Sequence, residues 1–157
     1  MGNGEIIMKK FEFSLSKMRD YKKQLLESEK NKLMKLQAER NFAKEAIKAL
    51  QVDYDKIHEE MTEKISKGIA IMEIKLFQFR KDSIKLEQQQ LQTQVYILDG
   101  AIERQRRVVL GLSQEVSGLE KLEEKQREEH ERLLAKENEL IISEFIASKF
   151  IRDKVAI

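Results

Sequence analysis

The stretch that decides the fold is LQTQVYILDGAIERQRRVVLGLSQEVSGL, residues 91–119, in which apolar residues recur at alternating steps of three and four. Gln105 is its single polar step, and the apolar steps are Leu91, Val95, Leu98, Ile102, Val109, Leu112, Val116 and Leu119. An earlier series has the same period, with Arg40 at one step: Leu33, Leu36, Ala43, Ile47, Leu50, Tyr54, Ile57 and Met61. A repeat of 3.5 residues is typical of helices that supercoil around one another. The two series, together with the steps Phe77, Ile84 and Gln88 that precede the second one, are named the seam.

One break, at Lys67-Gly68, separates the two series, and glycine accepts the left-handed conformation that ends helices. We therefore predict an all-α fold, a long two-helix antiparallel coiled-coil hairpin with its turn near residues 66–72. Helix 1 is expected over about residues 14–66 and helix 2 over about residues 72–150. A tip near residue 69 places Met61 against Phe77, Ile47 against Leu91 and Leu36 against Ile102. In this register the N-terminal end of helix 1 lies opposite helix 2 near residue 124. The C-terminal part of helix 2 then extends past helix 1 without a partner in the chain.

The composition agrees with this fold. Ala, Glu, Lys, Arg and Leu make up 78 of the 157 residues, and there is no proline to interrupt a helix. We expect a single domain over residues 8–157. Residues 1–7 carry two glycines and no helical pattern, so we expect them to be a disordered leader or a remnant of expression cloning.

Several classes of function find no support in the sequence. There is no cysteine, and the two histidines, His58 and His130, are far apart, so we expect no metal and no cofactor. No nucleophile–base set or phosphate-binding loop stands out, so we expect no enzyme. No apolar run approaches the roughly 20 residues that span a bilayer, and a secretory signal is lacking, so a cytoplasmic protein is expected.

We also expect no nucleic acid as a partner, because the net charge is only +2. Arg104, Arg106 and Arg107 form the one basic cluster, and pairing with nearby carboxylates such as Glu103 is the favoured interpretation over phosphate contacts.

Three features have more than one interpretation. The polar seam residues are register pins or, less favoured, ligands: Arg40, Gln88 and Gln105. Phe79 falls on the outer face of the hairpin. It either contacts a partner protein or makes an extra contact on the flank of the hairpin near its tip. The apolar C-terminal run, from Leu140 to Ile151, could bind a partner, dimerise, or fold back on Phe11 and Phe13. An amphipathic membrane helix is a further interpretation, but the run lacks the strongly basic polar face of such helices.

Two short motifs carry a family resemblance. The start MKKFEFSL, residues 8–15, is followed by MRDY, residues 18–21, and a late run LEKLEEKQREE covers residues 119–129. Together with the tip at Gly68, these resemble the FliJ family, small coiled-coil proteins of the bacterial flagellar export apparatus. The C-terminus differs from the family pattern, because an apolar segment from Ile142 onward stands where a polar ending is usual.

The resemblance implies a non-enzymatic, stalk-like component of type III export, involved in flagellum biogenesis and chemotaxis. The implied partners are the hexameric export ATPase ring, whose assembly and activity it promotes, the cytoplasmic portion of the export gate, and export chaperones. The protein is then peripheral at the inner membrane through its partners only. Partner binding is expected at Phe11, Phe13, Leu15, Leu50, Tyr54, His58, Phe79 and Ser83. Two alternatives are a counterpart in a virulence type III secretion system and a generic scaffold that dimerises through its apolar tail.

Overall fold

Residues 10–155 are described by a computed structural model of the chain, and the predicted leader, residues 1–7, lies outside them. The described residues form two α-helices and no strand: α1 is Ser16–Lys67 and α2 is Ile71–Val155. The predicted all-α hairpin is confirmed. The predicted single domain over residues 8–157 extends past the described residues at both ends and stays a prediction.

The turn between the helices is built around Gly68, which adopts a left-handed φ of 85°. The N–H of Gly68 donates to the carbonyl of Ile65 at 3.1 Å, which closes α1. The carbonyl of Ala70 accepts from the N–H groups of Glu73 and Ile74, at 3.1 and 3.3 Å, which begins α2. The predicted turn position is therefore confirmed, and the connection needs only residues 68–70.

The two helices contribute to two compact units. The tip unit is residues 26–111, and the terminal unit combines the residues up to 25 with those from 112 onward.

In the tip unit, the predicted seam is the face that α1 and α2 bury against each other. Its buried apolar residues are Ala43, Ile57, Phe77, Leu98 and Ile102, and its other positions are at least half-buried. Contacts across the hairpin fix the register: Nζ of Lys81 lies 2.8 Å from Nδ1 of His58, and Arg40 pairs with Asp99 at 3.3 Å. Both pairs fit the antiparallel register predicted from a tip near residue 69.

The polar seam residues reach across the hairpin rather than into a cavity. Gln88, only 6% exposed, donates to the carbonyl of Ile47 at 3.3 Å and to Oε1 of Gln51 at 3.1 Å. Gln105 donates to the carbonyl of Glu29 at 3.0 Å. A buried polar group that loses such a partner costs about 1–3 kcal/mol, so these contacts oppose slippage of one helix along the other.

In the terminal unit, pairing continues beyond the start of α1. Phe13 precedes the helix and is buried, and the ring of Phe11 lies 5.6 Å from the imidazole of His130. The guanidinium of Arg127 lies 5.0 Å from the same ring. Helix 1 ends near residue 124 of α2 as predicted, since Arg19 pairs with Glu123, but contacts along α2 continue to His130 through the non-helical residues that precede α1. The overhang of α2 begins beyond His130.

The turn geometry predicts opposite effects of two glycine substitutions. Gly68→Ala should lower the free energy of unfolding by about 1–2 kcal/mol, because a Cβ is strained at positive φ. Gly111→Ala is the matched control in α2, where nothing lies within 4 Å of the added Cβ, and it should raise stability by about 0.5–1 kcal/mol. Urea unfolding followed by circular dichroism measures both. Equal effects at the two positions would show that the turn does not need a left-handed residue.

Candidate partner-binding surfaces

The structure does not bring the eight predicted partner-binding residues together into one site. Phe11, Phe13 and Leu15 belong to the terminal unit, and the other five belong to the tip unit. In the terminal unit, Phe13 is buried with the guanidinium of Arg19 at 5.9 Å from its ring, and Phe11 and Leu15 are half-buried. Of the three, Phe11 contacts α2, at His130 and Arg127.

One side of the tip unit carries a cationic surface, the Tyr54 flank, defined by Tyr54, His58, Lys81 and Lys85. Lys81 is only 7% exposed, and its ammonium lies 2.8 Å from Nδ1 of His58 and 5.1 Å from the centre of the Tyr54 ring. Nζ of Lys85 lies 4.2 Å from the same ring centre. An ammonium over an aromatic face is attracted by the ring quadrupole, and burial of the lysine stem covers apolar surface.

Lys81 was missed by the sequence reasoning. The signal was present, since Lys81 stands at the seam step between Phe77 and Ile84, four residues after one and three before the other. The charge hides this step, because charged residues are rarely buried without a partner.

The opposite side of the tip unit carries an open groove, the Phe79 groove. Its lining is Asp53, Lys56, Ile57, Glu60, Phe79, Arg80, Ser83 and Ile84. Lys56 and His58 flank the buried Ile57, and each is rotated about 100° from it in opposite directions, so they face opposite sides of the hairpin. Phe79 and Ser83 therefore lie on one flank and Tyr54 and His58 on the other.

Leu50, the fifth predicted residue of the tip unit, is half-buried in the seam between the two flanks. The prediction that these five residues bind a partner stays a prediction, but they form two surfaces and a core position.

The third surface is the apolar tail, the stretch of α2 from Leu140 to Val155. Its large apolar side chains are 44% to 80% exposed: Leu140, Ile141, Ile142, Phe145, Ile146, Phe150, Ile151 and Val155. At 100° per residue they lie on all sides of the helix, an arrangement that is normally buried. The tail does not fold back on Phe11 or Phe13, so that interpretation was wrong.

Other candidate chemistry finds no site in the described part of the chain. Across residues 10–155, no group of three or more metal-ligating side chains lies together. None of the helices there contains a stretch both long and apolar enough to cross a bilayer. Arg107 of the basic cluster lies 3.7 Å from Glu103, the carboxylate four residues before it.

Ion pairs attach the start of α1 to α2 in the terminal unit. Arg19 pairs with Glu123, and Nζ of Lys22 lies 2.8 Å from Glu115. The hydrogen bond from Arg19 lowers the pKa of the Glu123 carboxyl, and the hydrogen bond to Glu115 raises the pKa of Lys22. The folded terminal unit is thus coupled to the ionisation of Glu123.

Comparison with known protein families gives these surfaces a context. A family model described as Flagellar FliJ protein matches residues 11–154, which include both series of the seam and almost all of the apolar tail. The chain belongs to the FliJ family. FliJ-family membership identifies a structural component of the flagellar export apparatus, as the N-terminal and tip motifs indicated. Neither the comparison with curated proteins nor the comparison with solved structures gave a match.

The lowered pKa of Glu123 predicts an acid-sensitive terminal unit. The ionised carboxylate stabilises the folded state above the ordinary carboxyl pKa of 4.5, and this contribution is lost as pH falls through the lower folded pKa. The urea concentration at which half of the parent protein is unfolded should therefore decrease as the pH is lowered from 6 to 3. Glu123→Gln should lower the midpoint at pH 6 and flatten its fall toward pH 3.

Glu124→Gln is the control for this experiment, because Glu124 is exposed and forms no ion pair within residues 10–155. It should leave the midpoint and its pH slope unchanged. A Glu123→Gln variant with the parent's pH slope would contradict the coupling.

Proposed function

We propose that this FliJ-family protein is the stalk-like, non-enzymatic subunit that joins the flagellar export ATPase to the export gate. Its terminal unit binds the hexameric ATPase ring and promotes assembly and ATP turnover. Its tip unit contacts the cytoplasmic portion of the gate. The protein works in the cytoplasm and reaches the inner membrane only through these partners.

The apolar tail is the observation that supports ATPase binding. A partner with a flat groove would cover one side of this helix and leave the others in water, whereas a partner that encloses it covers all sides. The central opening of a protein ring has this geometry. Burying the eight large side chains would contribute on the order of 10 kcal/mol before the costs of association.

Gate binding is assigned to the Phe79 groove. Exposed aromatic side chains are over-represented at protein interfaces, and Phe79 is 69% exposed at the edge of a groove with charges of both signs. Tyr54 is already covered by two lysines, and His58 already contacts Lys81. The groove therefore offers more free contact area than the Tyr54 flank.

The ATPase proposal predicts a tail-dependent effect on a purified flagellar export ATPase. The parent protein should raise the hexamer fraction in light scattering and the rate of ATP hydrolysis. Ile141→Ser with Phe145→Ser should require at least about tenfold more protein for the same effect, because two large apolar contacts are lost and 1.4 kcal/mol is tenfold in affinity.

Phe42→Ser is the control, since Phe42 is an exposed aromatic in the tip unit, and it should behave like the parent. Failure of the parent protein to change either hexamer formation or turnover would contradict the proposal. Dimerisation of the protein that the tail variant abolishes, with no effect on the ATPase, would support the scaffold alternative instead.

A further inference from the structure

A second heptad-like series runs along α2 and has no partner within the described residues. This series, the Met72 stripe, has steps of four and three and consists of Met72, Leu76, Phe79, Ser83 and Leu86. Its four apolar members are 56% to 69% exposed. The members of the stripe lie two residues away from positions that are buried or half-buried against α1, such as Ile74, Phe77, Lys81 and Ile84, and two residues correspond to a rotation of about 200°. The stripe therefore lies on the outer face of α2, where Phe79 and Ser83 also line the outer edge of the Phe79 groove.

Charged residues border the stripe on both sides. Glu73 and Arg80 lie one residue after stripe positions, and Lys75 and Asp82 lie one residue before them. These are the flanking positions at which interhelical ion pairs set partner choice and orientation in coiled coils. Within residues 10–155, none of the four takes part in an ion pair. The stripe thus combines uncovered apolar surface with uncompensated charges.

We propose that the Met72 stripe binds a second copy of this chain in an antiparallel helix pair, with the two-fold axis between Leu76 and Phe79. Leu76 then packs against Phe79 of the second copy. Glu73 faces Arg80 of the second copy, and Lys75 faces Asp82. Because the interface is symmetric, each pair occurs twice, and all four flanking charges of both copies meet an opposite charge.

The charge pattern selects this arrangement over its neighbours. A parallel pair would place Lys75 against Arg80 of the other copy, and Asp82 against Glu87. An antiparallel pair that is shifted by one heptad toward the C-terminus would place Arg80 of one copy against Arg80 of the other. A slip in the other direction would place Glu73 against Glu73. Each alternative brings like charges together, which is the usual way that coiled coils reject a wrong partner or register.

The interface is short, because α2 begins at Ile71 and the stripe cannot continue past the turn. It covers about three helical turns of each copy and lies at the small end of the range for specific interfaces, so the dimer is weak and depends on concentration. Phe79 belongs to both the stripe and the Phe79 groove. Self-association and the proposed gate contact therefore exclude each other, although the self-association itself does not depend on the proposed function.

Charge reversal tests the proposal on the full chain by sedimentation equilibrium over a wide range of concentrations. Glu73→Arg alone and Arg80→Glu alone should each weaken the dimer by about tenfold or more, because each creates two like-charge pairs per dimer. An equimolar mixture of the two variants should dimerise within about threefold of the parent. In the mixed pair, both 73–80 contacts again join opposite charges.

Glu59→Arg is the matched control, since Glu59 is exposed and lies two residues after the buried Ile57, on the face of α1 that points away from α2. It should dimerise like the parent, and circular dichroism should show the same helix content for all variants. The charge variants should keep the parent's effect on the export ATPase, so failure of this proposal is distinguishable from failure of the proposed function.

Three results would overturn the inference. The first is a parent protein that stays monomeric at all concentrations. The second is a dimer that either single reversal leaves intact, or that the mixture fails to restore. The third is a dimer lost in the Ile141→Ser, Phe145→Ser variant, which would assign the contact to the apolar tail.

Discussion

The rest of the structure depends on burial of one apolar seam between two antiparallel helices. More than a third of the residues are charged, so each helix has one main apolar face over most of its length, and that face is used by the other helix. The close approach at Ala43, which is almost fully buried, and the polar contacts of Gln88 and Gln105 fix the alignment. Once the register is set, every other side chain is assigned to a flank or to an outer face.

Most of the fold could be predicted from the sequence, because its information is periodic. The steps of three and four identify the buried face, and Gly68 is the one residue between the two series that tolerates a left-handed turn. The continuation of pairing to His130 could not be predicted from that period, since Phe11 and Phe13 precede the helix. Lys81 was missed because its charge concealed a regular seam step.

The candidate sites were less predictable than the fold. Leu50, Tyr54, His58, Phe79 and Ser83 are similar in their distance from the tip, but a rotation of about 100°, the step from one residue to the next, decides whether a side chain lies in the seam or on either flank. That rotation depends on the final register, which the contacts of Gln88 and Gln105 across the hairpin help to fix. The apolar tail is evident in the sequence, but its exposure on all sides is not. That exposure depends on the N-terminal segment, which contacts Arg127 and His130 and leaves the tail uncovered.

The proposed binding surfaces are thereby separate from the interaction that maintains the fold. The seam is covered by contacts between α1 and α2. The apolar tail, the Phe79 groove and the Met72 stripe are instead exposed surfaces with the composition of interfaces. Hydrogen exchange of the full chain, alone and with the export ATPase, measures this separation directly. Amides of residues 140–155 should exchange at least about tenfold more slowly in the complex, while those of residues 91–111 keep their rates. Unchanged exchange in residues 140–155 of a stable complex would contradict the central claim.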